Sequence, residues 1–419
     1  MAHVHQFTHL IFNRFEPYAL VVVIPLLFLV PIIPATLLLT HFATPAALVL
    51  AFGVYWTALL SSIAFYRLSF IHPLSRYPGP AHLKLSTLWV YKMARAGRRH
   101  LYIQKLHEQY NSDVVRIGPN ELSFRDVASI GQIMGTQGFP RGPTYDGLTA
   151  HAKDRPLVAL RDTAAHAKRR LPWNRGLNTA ALKEYDSALA ERVNQLVDLL
   201  LSENGRTVNV GEKFRFFSYD FMGDMAFGGV SELMHVGDVH GQMRVLHALI
   251  ESNLIRETIP WSPRYLPSGG KAFVDAAIAM GSRRIEKGNS RKDLFYYLNN
   301  EDGYEAVSPP FHDVVAEAAL VIGAGSDTTS LALTNMMYLL MRHPQAYKRL
   351  QEEVDRFYPR GENALDSAFH PEMVFLEAVI NEALRLYPVV PSGVQRCTPE
   401  GAMISSGYYS TFAFFVVDD

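Results

Sequence analysis

The sequence predicts a mostly helical body with a small β portion behind an N-terminal membrane anchor, and three observations predict it. Two uncharged runs open the chain, at residues 18–39 and 45–66. Helix-spaced apolar patterns fill most of the body, with one clear β-hairpin in its first half. A mostly apolar stretch at 311–343 is bracketed by Pro309-Pro310 and by Pro344, the two places a helix tolerates proline. As one helix it would be roughly 50 Å long at about 1.5 Å per residue. Its apolar composition on every side predicts burial through the centre of a large domain.

Length and composition set outer bounds. The 419 residues suffice for one large domain or two ordinary ones. Forty basic and forty acidic residues cancel, so no overall field favours nucleic acid as a partner. The single cysteine, Cys397, excludes an internal disulfide and any cysteine-cluster zinc or iron–sulfur site.

Each uncharged run is about long enough to cross a hydrocarbon core of roughly 30 Å. Pro25, Pro31 and Pro34 predict a kinked or re-entrant first run, which leaves the second as the better candidate span. Arg67, Arg76, Lys84, Lys92, Arg95, Arg98 and Arg99 follow with few acids, so the body is expected on the cytosolic side. The predicted organisation is an anchor over 1–66, a proline-rich elbow over 67–80 and a body over 81–419. A receptor or transporter is disfavoured, because no further charge-free span of adequate length follows Tyr66.

Within the body, 101–110 reads as an amphipathic helix. Residues 114–124 read as two short strands around Gly118-Pro119-Asn120. The segment 162–177 holds the strongest basic cluster, His166, Lys168, Arg169, Arg170 and Arg175. One reading is a solvated helix face. The other is an anion grip, since His166 and Arg170 are spaced i, i+4 on one face. Helical patterns continue over 182–204, 214–226, 239–251, 271–287, 346–357 and 371–388. The last carries Glu382 and Arg385 at i, i+3, a surface salt bridge if exposed and a fixed structural pair if buried. Gly269-Gly270-Lys271 is not a phosphate loop, as no Ser or Thr follows the lysine. Metalloprotease, nucleophile-elbow and dinucleotide fingerprints are absent.

What remains is Gly323-Ala324-Gly325-Ser326-Asp327-Thr328-Thr329, a run of poor helix formers inside the central stretch. The glycines remove bulk where something could approach the backbone. Asp327 and Thr328 could relay protons to a bound oxygen species. Equally, the hydroxyls could bond back to the preceding helical turn.

Ala324-Gly325-Ser326-Asp327-Thr328-Thr329, followed by Glu382-Ala383-Leu384-Arg385 and preceded by the Tyr77-Pro78-Gly79-Pro80 elbow, resembles the cytochrome P-450 family of haem-thiolate monooxygenases. The likeness covers roughly 65–407 and is greatest to membrane-bound fungal members of secondary metabolism. It implies a mostly α fold with a small β portion and a haem against the central helix. It further implies a lipophilic small-molecule substrate, for example a terpenoid, and electrons from an NADPH-dependent reductase. The implied location is the endoplasmic reticulum membrane. Thr328 would assist oxygen activation with Asp327 as the adjoining acid, and Ala324 and Gly325 would lie over the oxygen-binding face. His166, Arg170 and Arg396 would hold the haem propionates, with Trp173 nearby. Glu382 and Arg385 would be the structural pair supporting the haem-side core.

The sequence departs from that pattern in one respect. The family's axial ligand is a cysteine in a glycine-containing loop well beyond the Glu-x-x-Arg helix. Cys397 lies only 12 residues after Arg385 and lacks that loop, so it is not expected to ligate iron. Residues 409–419 read as a foreign ending, which suggests a chain truncated before the ligand loop and, as an alternative to the enzyme, an inactive member that at most binds a hydrophobic ligand or partner.

Overall fold

The computed structural model describes residues 4–148, 155–229, 231–266, 270–288, 291–391 and 394–398, and the backbone of three short strands beyond. The chain divides into two compact units, residues 1–144 with 392–419 and residues 145–391.

The first unit begins with a helix at Val4–Phe15. A broken helix follows over Leu20–Leu38, then a continuous one over Thr44–Leu68. The break is where the prolines predict it. Pro25–Leu29 winds as a π-helix and Val30-Pro31 form a turn before Ile32–Leu38 resumes.

The strands are β1 (Val114–Gly118), β2 (Glu121–Phe124), β3 (Arg396–Cys397), β4 (Met403–Ile404), β5 (Tyr408–Tyr409) and β6 (Phe414–Val417). They form one sheet in the order β1-β2-β6-β3 and a separate β4-β5 pair. β1 and β2 are antiparallel with Val114 opposite Phe124, as the Gly-Pro-Asn turn implies. The backbone of β6, within the segment read as a foreign ending, pairs parallel with β2 and antiparallel with β3. Both faces of the β1–β2 hairpin are covered. Val114, Leu122 and Phe124 meet Leu74, Tyr77 and Phe139, while Val115 and Ile117 meet Leu83, Ile103 and Leu106.

A buried arginine ties the elbow to this hairpin. Arg116 donates to the carbonyl oxygens of Pro119 (2.7 Å), Arg67 (3.0 Å) and Gly118 (3.3 Å), and lies 3.2 Å from His72 Nε2. Burial, reinforced by the Arg116 charge, pushes His72 down to about 4, so its ring is neutral and can accept from the guanidinium. The Arg116 amide donates to Pro78 O at 2.7 Å, which lays the elbow along the strand. A Cβ on Gly79 would stand 2.2 Å from the Arg116 carbonyl oxygen, so only glycine fits there.

The second unit is helical. The central helix runs over Phe311–Arg342, with Pro310 before it and His343 capping its end. It is helical throughout, including the glycine run. Its buried residues, Val314, Val315, Ala318, Val321, Ile322, Ser326 and Ser330, recur at three- and four-residue steps along one stripe. Helices Val210–Phe227 and Lys271–Lys287 and the short helix Leu294–Leu298 supply the apolar side chains that cover it. Burial on every side is therefore corrected to burial along a stripe, because Ala324, Leu331, Tyr338 and Met341 are exposed. Composition alone does not tell how many neighbours a helix has.

Gly79→Ala should cost about 1–3 kcal/mol, since the added methyl meets backbone that cannot swing away. The expected readout is a lower denaturation midpoint of the purified protein, and an unchanged midpoint would contradict the close approach of elbow and strand.

Candidate functional site

The predicted site residues lie on three elements of the second unit and one strand of the first. Thr328 and Asp327 occupy the middle of the central helix, both half-buried. The Thr328 hydroxyl donates to Ala324 O at 2.8 Å, four residues back, and Ser326 makes the same kind of bond to Ile322 O. The hydroxyls thus bond to the preceding turn, one of the two options open in the sequence. The Asp327 carboxylate has no hydrogen-bond or ion-pair partner among the described residues. Adjacent helical positions point about 100° apart, so Asp327 and Thr328 do not face one another. A proton passing between them needs an intervening water.

Ala324 is exposed on the helix face that also bears Thr328. Gly325 points elsewhere. A Cβ there would stand 2.5 Å from Met222 Sδ, so the space it leaves is filled by the neighbouring helix Val210–Phe227.

Helix Thr163–Gly176 carries the basic cluster and is capped by Asp162, whose carboxylate accepts from Ala165 N at 2.7 Å. Arg170 is exposed without a partner among the described residues, and His166 is half-buried on the same face. Their neighbours Arg169 and Trp173, also i, i+4, face inward instead. Arg169 donates to Asp313 Oδ2 (3.0 Å) and Glu317 Oε1 (3.4 Å), and the Trp173 indole donates to Glu317 Oε2 (3.1 Å). The Leu157 amide lies 3.0 and 3.1 Å from the two Glu317 oxygens.

Glu317 is the residue that sequence reasoning missed. Its side chain is 3% exposed and gathers three donors from two segments onto the central helix. It precedes Ala324 by seven residues and Thr328 by eleven, spacings that put all three on one helix face. The cluster therefore docks helix Thr163–Gly176 on the face that farther along bears Ala324 and Thr328. A lone carboxylate within Ala316-Glu317-Ala318-Ala319-Leu320-Val321 was the available signal.

Glu382 and Arg385 form a bidentate pair at 2.7 Å on helix Val374–Leu386. Their side chains are 53% and 67% exposed, which makes the pair a solvated surface contact here. Arg385 holds the Glu382 carboxyl below its usual range, and Glu382 raises the guanidinium in return.

Whether these residues suit a haem can be judged from their free donors. In the first unit, Arg396 donates from Nη1 to Phe139 O at 3.3 Å, while its Nε is shielded and has no partner among the described residues. A guanidinium so placed suits an anionic group such as a propionate, as does the unpartnered Arg170. Cys397 does not suit the axial position. It lies in β3 with its amide donating to Pro140 O at 2.8 Å and its thiol 3.5 Å from Thr398 O. Among the described residues no group of three or more His, Cys, Asp or Glu is arranged to hold a metal ion.

Burial pushes Glu317 up to about 7, against the pull of the Leu157 amide, Arg169 and Trp173, while Asp313 adds to the rise. A carboxyl raised in the folded state binds more protons there than in the unfolded chain. The stability this confers is full below about 4.5 and is lost as pH rises through about 7. The unfolding free energy should therefore fall by about 3 kcal/mol across that window. Glu317→Gln should flatten the slope in a denaturant titration repeated at several pH values.

Comparison with known proteins bears on the family and the fold. The family model described as cytochrome P-450 matches residues 76–409. The cytochrome P-450 monooxygenase FCK2 of Fusarium pseudograminearum (strain CS3096) is 31% identical over 367 residues, 84% of this chain and 64% of that protein. The cytochrome P-450 monooxygenase notG' of Aspergillus versicolor is 32% identical over 360 residues, 82% of this chain and 64% of the relative. Tryprostatin B 6-hydroxylase of Aspergillus fumigatus is 29% identical over 365 residues, 84% of this chain and 63% of the relative. The chain thus spans a little under two thirds of these relatives' length. A crystal structure of another cytochrome P-450 superposes with a TM-score of 0.61 at 18% identity, covering 74% of this chain and 72% of its own. The family match over most of the chain and the shared fold establish that the chain belongs to the cytochrome P-450 family.

Proposed function

We propose that the protein serves as a haem-dependent monooxygenase that hydroxylates a lipophilic small molecule in fungal secondary metabolism, for example a terpenoid. It would take electrons from an NADPH-dependent reductase. Residues 1–66 would anchor it, after the elbow 67–80, to the endoplasmic reticulum membrane with the body, from residue 81 on, facing the cytosol. The observation that carries the reading is the shared face of Glu317, Ala324 and Thr328, against which Arg169 and Trp173 hold the basic helix. Family membership and the fungal monooxygenase relatives support it.

Haem, when bound, supplies the reaction with O2 in which one oxygen atom enters a substrate C–H bond and the other leaves as water, with two electrons and two protons consumed. The chain's residues would do the rest. Arg170, His166 and Arg396 would hold the propionates. Ala324 keeps its helix face low. The Thr328 hydroxyl, by releasing Ala324 O, would donate a proton, and Asp327 would take one up from solvent and return it to Thr328 through water.

For the 419 residues as they stand, the placement of Cys397 favours a second reading. On that reading Cys397 would supply no thiolate to the iron, oxygen–oxygen cleavage would lack its driver, and the chain would bind a hydrophobic ligand or partner without turnover. A reduced carbon-monoxide difference spectrum of the expressed chain separates the two. If the first holds, a thiolate-type Soret band appears, and Asp327→Asn lowers NADPH-driven product formation by about 10²-fold or more. If the band is absent while a hydrophobic ligand is retained, the second stands.

A further inference from the structure

The N-terminal helices show how the chain enters a bilayer, an inference that rests on the anchoring reading above. The Tyr55 phenol oxygen lies 2.6 Å from the carbonyl oxygen of Leu26 and 2.9 Å from Thr8 Oγ1. A carbonyl can only accept, so the phenol's one proton goes to Leu26. That carbonyl has lost its helical partner. The Val30 amide, its normal donor, goes instead to Pro25 O, and the next position, Pro31, has no N–H. On a surface in water such a carbonyl is simply hydrated. In hydrocarbon it costs several kcal/mol unless another helix supplies a donor. Here Tyr55 of helix Thr44–Leu68 supplies it, with only 5% of its own surface exposed.

The rest of this contact fits two helices side by side in lipid. Ala35, Ala47 and Ala51 are buried, small residues that let helices approach closely. The outward positions are large, apolar and exposed on both helices, among them Val21, Ile33, Leu37, Val49 and Leu60. Neither window is more than 17% buried. The 19 residues of the broken helix reach about 28 Å, close to a hydrocarbon thickness of about 30 Å. Only residues 39–43 join the two, which forces them antiparallel. Helix Val4–Phe15 lies along the second half of Thr44–Leu68, from Thr8 at Tyr55 to His9, whose Nδ1 is 2.8 Å from Ser62 Oγ and whose ring is 5.6 Å from Tyr66. Its Phe7, Leu10 and Phe15 are exposed, as apolar side chains facing lipid would be.

We propose that residues 20–38 and 44–68 cross the bilayer together as an antiparallel hairpin, pinned by Tyr55 on the Leu26 carbonyl. Residues 39–43 then reach the far side, and Val4–Phe15 packs along the second half of Thr44–Leu68 with its chain start on the same side as the rest of the chain. The partner is the lipid bilayer.

Single-cysteine forms of the full chain, H5C, T40C and K348C in a C397S background, test this in sealed microsomes with a membrane-impermeant maleimide. H5C and K348C should be labelled on the same side. T40C should be labelled at least tenfold more slowly until detergent opens the vesicles. A T40C labelled from the same side as K348C, or an H5C on the opposite side, overturns the hairpin. Release of the protein by alkaline carbonate overturns anchoring itself, which is a different result. Tyr55→Phe should raise severalfold the share of H5C found on the opposite side while the protein stays carbonate-resistant. An unchanged share overturns the role given to Tyr55.

Discussion

A carboxylate buried on the central helix must have donors brought to it, and the second unit is arranged around that requirement. Glu317 draws the Leu157 amide, the Arg169 guanidinium and the Trp173 indole onto one point. Each donor sits on a segment that must then run where Glu317 directs it. The basic helix Thr163–Gly176 is consequently fixed with Arg169 and Trp173 inward, which turns His166 and Arg170 away from the clamp. Removing one side of such a cluster leaves buried polar groups unpaired, which costs more than the contacts themselves contribute.

The same logic recurs where other charges are buried. Arg284 meets Asp293 through two bonds of 2.7 and 2.9 Å, and Arg192 meets Asp224 through two of 2.7 and 2.9 Å. Arg116, in the first unit, is satisfied by carbonyls and a neutral histidine rather than by a carboxylate. Bidentate guanidinium geometry and several acceptors are what make each burial tolerable. The Arg192 and Arg116 contacts reach across 32 and 49 residues, to Asp224 and to Arg67, and so define how segments meet without adding much net stability.

Small residues contribute through what they allow neighbours to do. Gly325 admits Met222 of helix Val210–Phe227, and Gly281 leaves room for Val315. The glycine run that suggested an open pocket therefore serves helix packing at Gly325. At Ala324 and Thr328 the same run leaves a low, partly exposed surface. One sequence motif thus faces in two directions, which follows from 100° of rotation per residue.

Much of the fold was legible because it follows from local rules. Helix 271–287 came out with the expected bounds, the β1–β2 hairpin followed from its turn chemistry, and the prolines of the first apolar run marked its π-turn. Motif spacing identified Asp327, Thr328, Glu382 and Arg385 as candidates and pointed to the family. What the chain could not show was contact between distant segments. The choice of Arg169 over Arg170 as the inward residue depends on Glu317, 148 positions away for Arg169. The exposure of the Glu382–Arg385 pair depends on what covers its helix. The sequence by itself determined element types, breaks and family, because these rest on short-range periodicity and turn residues. Tertiary structure alone decided which helix faces meet, because burial and hydrogen-bond satisfaction are properties of segments brought together.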